Sequence, residues 1–130
     1  MKFRSIAVLL LLVLTASIVL TACNGGSSTP APTTGAKTIA VDAAEFAFTP
    51  NKFDAKVGDK LTFKITNKGT LDHSFVIAGP DGVVITRTDV KQGGSASLDF
   101  TPTKAGAYQI SCDVPGHKDS GMVGTLTITP

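Results

Sequence analysis

Strict alternation of apolar and polar positions dominates the second half of the chain. Leu61, Phe63 and Ile65 alternate with Thr62, Lys64 and Thr66, and Ala96, Leu98 and Phe100 alternate with Ser95, Ser97 and Asp99. Tyr108, Ile110 and Cys112 alternate with Gln109, Ser111 and Asp113, and Leu126 and Ile128 alternate with Thr125, Thr127 and Thr129. A period of two sends successive side chains to opposite faces, so each segment is predicted to be a half-buried strand. Shorter strands are predicted at 38–42, 45–48, 53–56, 73–78 and 83–87. Turn-forming clusters separate them: Thr49-Pro50-Asn51, Gly58-Asp59, Asn67-Lys68-Gly69, Gly79-Pro80-Asp81-Gly82, Gln92-Gly93-Gly94 and Lys104-Ala105-Gly106. No helical pattern longer than a turn interrupts this part. Seven or eight short strands at such spacing predict an all-β fold, an antiparallel Greek-key β-sandwich.

The N-terminus follows a different pattern. Lys2 and Arg4 precede an apolar run from Ile6 to Leu20, and small residues then lead to a cysteine. This is the layout of an export signal, to be set aside from the fold. Leu20-Thr21-Ala22-Cys23 resembles the lipobox of bacterial lipoproteins, which implies cleavage before Cys23 and acylation of that residue. The alternative is an uncleaved membrane anchor, for which the run is near the lower length limit of about 18 residues. Both place the remainder outside the cytoplasm and tethered to a membrane. The following Asn24–Ala36 stretch is uncharged, rich in Gly, Ser, Thr and Pro, and has alanine as its one apolar type. Such a segment cannot bury a core. The expected organisation is therefore a signal peptide at 1–22, a lipidated cysteine and disordered linker at 23–37, and a folded domain at 38–130.

Composition sharpens this division. Six of the ten leucines lie in the first 22 residues, whereas the rest of the chain has four leucines against fifteen threonines and six phenylalanines. That bias favours pleated strands. Lys2 and Arg4 account for the net charge of +2, and the remainder balances ten Lys/Arg against ten Asp/Glu. A balanced domain lacks the basic face that nucleic-acid binding requires. With two cysteines in 130 residues, at most one bridge could form, so a disulfide scaffold is excluded.

The chemistry concentrates in few residues. Beyond the leader and Cys23 there are one cysteine, Cys112, one methionine, Met122, and two histidines, His73 and His117. Three of the four stand in the run Cys112-Asp-Val-Pro-Gly-His117-Lys-Asp-Ser-Gly-Met122. A thiolate, two imidazoles and a thioether suit copper, with three strong ligands and one weak axial one, whereas zinc wants four strong ligands. Taken singly, an inward histidine is more often a hydrogen-bonded structural residue, and a buried Met or Cys is more often core. Strand parity counts against that reading. Cys112 shares its face with Tyr108 and Ile110, His73 with Phe75 and Ile77, and Met122 with Leu126 and Ile128. Three candidate ligands thus face one apolar interior at strand ends, with His117 on the loop above.

These segments resemble the cupredoxins, the small blue (type 1) copper proteins that include plastocyanin, azurin and auracyanin. The resemblance covers about residues 38–130. It runs from Phe46-Ala-Phe48-Thr-Pro50 and Val57-Gly58-Asp59 through His73-Ser74-Phe75 to the Cys112–Met122 run and Gly124-Thr-Leu126. It implies one type 1 copper ion with His73, Cys112 and His117 in a trigonal plane and Met122 as the long axial ligand. Three departures stand out. Ser74 occupies a position, next to the first histidine, where the family commonly has an Asn that locks the ligand loops. Asp72 replaces a small or apolar residue, and Ser111 stands where plastocyanin has an exposed aromatic.

The resemblance implies a membrane-tethered one-electron carrier, not an enzyme, because no further histidines remain for type 2 or type 3 copper centres. Expected partners are transient redox proteins such as cytochromes or respiratory and photosynthetic complexes, with a membrane held through the lipid anchor, no nucleic acid, and a monomeric state. The expected location is the periplasmic face or cell surface. A copper delivery or storage module is the alternative, although such sites usually expose several Met or His. A sandwich without metal, acting in adhesion or as an accessory domain, is a third reading.

Overall fold

A computed structural model describes residues 35–130. The expected signal peptide, Cys23 and the linker through residue 34 lie outside the described residues. Nine strands follow in order: β1 (Ala36–Ala44), β2 (Ala47–Thr49), β3 (Lys52–Lys56), β4 (Lys60–Asn67), β5 (His73–Ala78), β6 (Val84–Val90), β7 (Ser95–Phe100), β8 (Gly106–Ser111) and β9 (Val123–Thr129). No helix occurs among the described residues. The strands form two sheets, one ordered β2-β1-β4-β7 and the other β3-β9-β8-β5-β6.

The all-β sandwich expected from the alternation is present, with nine strands where seven or eight were anticipated. It is also not wholly antiparallel, because β1 runs parallel to β4 and β3 runs parallel to β9. The chain changes sheets at Pro50-Asn51, between β2 in one sheet and β3 in the other. Proline cannot donate to a ladder, so the first sheet ends there. The chain then joins the edge of the second sheet beside β9 in the same direction. Alternation encodes which face a strand buries, not the direction of its neighbour.

The apolar sets meet between the sheets. Phe63 of β4 stacks edge-on with Phe53 of β3 at 5.5 Å and lies 5.2 Å from Phe75 of β5, which packs edge-on with Phe48 at 5.1 Å. Leu61, Ile65, Ile77, Ile110 and Leu126 are fully buried around them. β5 departs from simple alternation, since all six of its residues are buried. It lies between β8 and β6.

β1 begins two residues ahead of the expected domain start at 38, because Asp59 draws this segment in. The buried Asp59 carboxylate accepts from the backbone of Gly35 at 3.1 Å and Lys56 at 3.0 Å and pairs with Lys37 Nζ at 2.9 Å. These donors, Lys37 foremost, bring its pKa down from 3.8 to about 2. Registers place this corner at one end of the sandwich. The end of β4, the start of β5, and the junctions after β8 and before β9 gather at the other, where His73 pairs with Val90 and Ser111 with Val123.

Candidate metal centre

That second end holds every candidate ligand. His73 is the first residue of β5, Cys112 directly follows β8, and Met122 directly precedes β9. The ten residues after Cys112 fold into a tight turn. Pro115 and Gly116 start it, with Gly116 at φ 82° and Gly121 at φ 102°, a backbone region that glycine enters without steric cost. The His117 amide donates to Val114 O at 3.0 Å, and Ser120 caps Gly116 O through its amide at 3.0 Å and its hydroxyl at 2.8 Å. Two bonds close the turn: Met122 N donates to His117 O, and Cys112 N donates to Met122 O, each at 3.1 Å. The backbone of each loop candidate is thereby tied to that of another.

The side chains converge in the same way. Nδ1 of His73 and Nδ1 of His117 are 3.1 Å apart, and Cys112 Sγ is 3.5 Å from His117 Nδ1. The three donor atoms all lie within 4.8 Å of one another. Cys112 and Met122 are wholly buried, and His73 and His117 nearly so, with His117 the most exposed of the four at 6%. The structure thus brings His73, Cys112, His117 and Met122 to one pole, with the His117 ring nearest water.

Two imidazole nitrogens facing each other suit a shared cation. Nitrogens bound to one ion at about 2.0–2.1 Å can be no more than about 4.2 Å apart, and a nitrogen and a thiolate sulfur no more than about 4.4 Å. Both spacings above fall inside these limits. Burial, together with the adjacent His117, holds the His73 pKa below its usual 6.5, against the opposing pull of Glu45 and Asp72. A neutral ring with Nδ1 free to bind metal carries its proton on Nε2. That buried nitrogen has no hydrogen-bond partner and points toward Glu45 Oε1 at 3.7 Å, beyond hydrogen-bond reach.

The surrounding shell contains residues that sequence reasoning passed over. Asn67 Nδ2 donates to Leu71 O at 2.7 Å and Val90 O at 3.1 Å, and its Oδ1 accepts from Gly69 N at 2.9 Å, so it fixes the chain leading into His73. Glu45 accepts from Thr70 N at 2.6 Å and Leu71 N at 2.8 Å. Its carboxyl is held below the usual range by its own backbone amide and that of Leu71. Phe46 lays its ring edge-on to His117, with centroids 4.9 Å apart. Asp72, the residue before His73, turns outward to Lys91 Nζ at 2.8 Å and Gln92 N at 2.9 Å. The Asn67 turn signal was visible in the sequence; its role in bracing β5 depends on Val90, 23 residues away.

Comparison with known proteins bears on this arrangement. A family model described as Cupredoxin-like domain matches residues 8–128. The chain belongs to the cupredoxin family. This cupredoxin is 30% identical to plastocyanin of Daucus carota over 96 residues, covering 70% of this chain and 96% of that protein. It is 49% identical to the copper-resistant cuproprotein CopI of Pseudomonas aeruginosa over 41 residues, 32% of this chain and 23% of CopI, so it spans about a quarter of that relative's length. Dithionite-reduced auracyanin from the photosynthetic bacterium Roseiflexus castenholzii superposes with a TM-score of 0.66 at 26% identity, over 74% of this chain and 100% of that one. The cofactor of this cupredoxin is one copper ion, which the Cys and two His donors with a neighbouring Met fit as a type 1 site.

Proposed function

We propose that this cupredoxin is a one-electron carrier in which His73, Cys112 and His117 would hold the copper, with Met122 as the fourth, weaker candidate ligand. The observation that carries the reading is the convergence of two Nδ1 atoms and one thiol sulfur in a buried spot. When bound, copper supplies the redox couple, Cu(II) and Cu(I). The chain's residues supply the rest. Paired backbone bonds between Cys112, Met122 and His117 resist rearrangement of the ligand loop, which would keep reorganisation small when a bound copper changes charge. Burial excludes water and disfavours the more highly charged ion, which favours a raised potential. His117, with Phe46 against its ring and Pro115 and Gly116 exposed beside it, is the route by which an electron enters or leaves.

The partners proposed are redox proteins, cytochromes or respiratory and photosynthetic complexes, met by a monomer in small transient contacts. An acylated Cys23 would hold the domain on the outer side of a bacterial membrane and raise its effective concentration near membrane-bound partners. The likeness to CopI favours a second reading, copper handling in resistance. The buried ligand set argues for retention over exchange.

Repeated reduction and reoxidation in the presence of a strong Cu(I) chelator separates these readings. A carrier keeps its copper and its visible band through many cycles. Loss of stoichiometric copper on the first reduction would replace the carrier reading with delivery.

A further inference from the structure

Ser74 sits against the cysteine sulfur, and its environment is unusual. Its amide donates to Cys112 Sγ at 3.4 Å, and its hydroxyl lies 3.6 Å from the same sulfur. That hydroxyl has one proton and two candidate acceptors. The other is Asp113 Oδ1 at 2.6 Å, within the range of a charge-assisted O–H···O⁻ bond. Asp113 N donates back to Ser74 Oγ at 2.9 Å, so Asp113 engages the hydroxyl both ways. The carboxylate is in turn gripped by the Arg87 fork, with Nε 3.1 Å from Oδ2 and Nη2 3.2 Å from Oδ1. Arg87 belongs to β6, also bonds Asp89 at 2.7 Å, and has Asp89 and Asp113, not the candidate ligands, as its polar partners.

We propose that Arg87 is a positioning residue for the metal centre, holding Asp113 so that the carboxylate captures the Ser74 hydroxyl proton and keeps it off the Cys112 sulfur. The thiolate then has one hydrogen bond, from the Ser74 amide, instead of two. Hydrogen bonding at the cysteine sulfur is one of the controls on potential in His₂Cys copper sites. Without the fork, the exposed carboxylate is free to turn to water, and the Ser74 hydroxyl rotates to the sulfur. A second bond withdraws charge from the thiolate and favours the reduced state. Arg87 therefore sets the potential on the low side of what this site could reach. This inference rests on the copper reading of the site.

The test compares wild type, R87Q, R87K, S74A and the S74A/R87Q double variant, all copper-loaded, by midpoint potential and thiolate-to-copper absorption. R87Q is expected to raise the potential and move the band to shorter wavelength, with R87K closer to wild type. In the S74A background, where no hydroxyl remains to redirect, R87Q should add no further shift. Identical potentials and bands for R87Q and wild type would overturn the proposal, as would an R87Q shift of equal size in the S74A background. Amide hydrogen exchange in the metal-free protein tests the clamp without copper. The Asp113 amide should exchange severalfold faster in R87Q, and unchanged protection overturns the proposal. A colourless wild type would reject the copper reading itself, and the exchange measurement would still decide whether the clamp exists.

Discussion

Asn67→Ala probes how the first candidate ligand is held. Asn67 is 3% exposed and makes three hydrogen bonds, two donated to Leu71 O and Val90 O and one accepted from Gly69 N. Each contributes about 0.5–1.5 kcal/mol net, and a partner left unsatisfied in a buried place costs about 1–3 kcal/mol. Val90 is itself buried, so its carbonyl has little access to replacement water. The exposed Leu71 segment can recover part of its loss from solvent. A destabilisation of about 2–4 kcal/mol follows. For a domain of this size it lowers Tm by roughly 10–30 °C, at about 4–8 °C per kcal/mol. Urea unfolding of the metal-free protein, followed by circular dichroism, gives the free-energy difference directly if the slope is unchanged. The same variant should also bind copper more weakly, since Val90 pairs with His73. A loss below about 1 kcal/mol would mean that the three bonds do not brace this corner.

Three further outcomes are expected. Asp59 has its pKa lowered from 3.8 to about 2, first by Lys37, so its contribution to stability is present above 3.8 and is lost as pH falls through about 2; Asp59→Asn should lower Tm at pH 7, with a gap to wild type that shrinks strongly as pH falls to about 2, and an equal gap at both would contradict this. Gly124→Ala would place a Cβ 2.7 Å from the backbone oxygen of Asn51. That forces β3 from β9 at a cost of about 1–3 kcal/mol in urea unfolding, and wild-type stability would show that the strands yield freely. Phe46→Ala removes the ring packed on His117, an interaction worth roughly 0.5–1.5 kcal/mol, so a chelator should strip copper about two- to tenfold faster. An unchanged rate would mean that Phe46 does not guard the site.

Much of this architecture was legible in the sequence. Each of the nine segments marked as extended overlaps a strand, although Glu45 and Phe46 lie in the turn before β2 and Cys112 and Asp113 lie beyond β8. A half-buried β-strand writes its burial directly into a period of two. Tyr108–Cys112 and Leu61–Ile65 did so most clearly. β5 did not, since Ser74 and Val76 are as buried as His73 and Phe75, and a strand covered on both faces loses its alternation. The parallel pairings of β1 and β3 were not legible either, because they depend on where the chain crosses between sheets. At the metal pole, the ligand types and their spacing were read from one short run and one upstream histidine. Their supports were not. Arg87 and Asp113 lie 26 residues apart, and Glu45 and Leu71 also 26, so these contacts exist only once the fold brings the strands together. The departure at Ser74 was visible as a short side chain in place of a long one. The structure adds that the length is made up from the loop after β8, by Asp113, whose carboxylate is held below its usual range first by the Ser74 hydroxyl and then by Arg87.

If His73, Cys112, His117 and Met122 hold one copper that cycles by a single electron, a copper titration should show it. Adding one equivalent of Cu(II) to the metal-free protein, while recording visible absorption and then titrating with a reductant, tests it most directly. An intense thiolate-to-copper band is expected that saturates at one copper per chain, bleaches with one electron, returns on reoxidation, and is absent from Cys112→Ala. A wild-type protein that binds no copper, or binds it without that band, would show that these four residues do not form such a site.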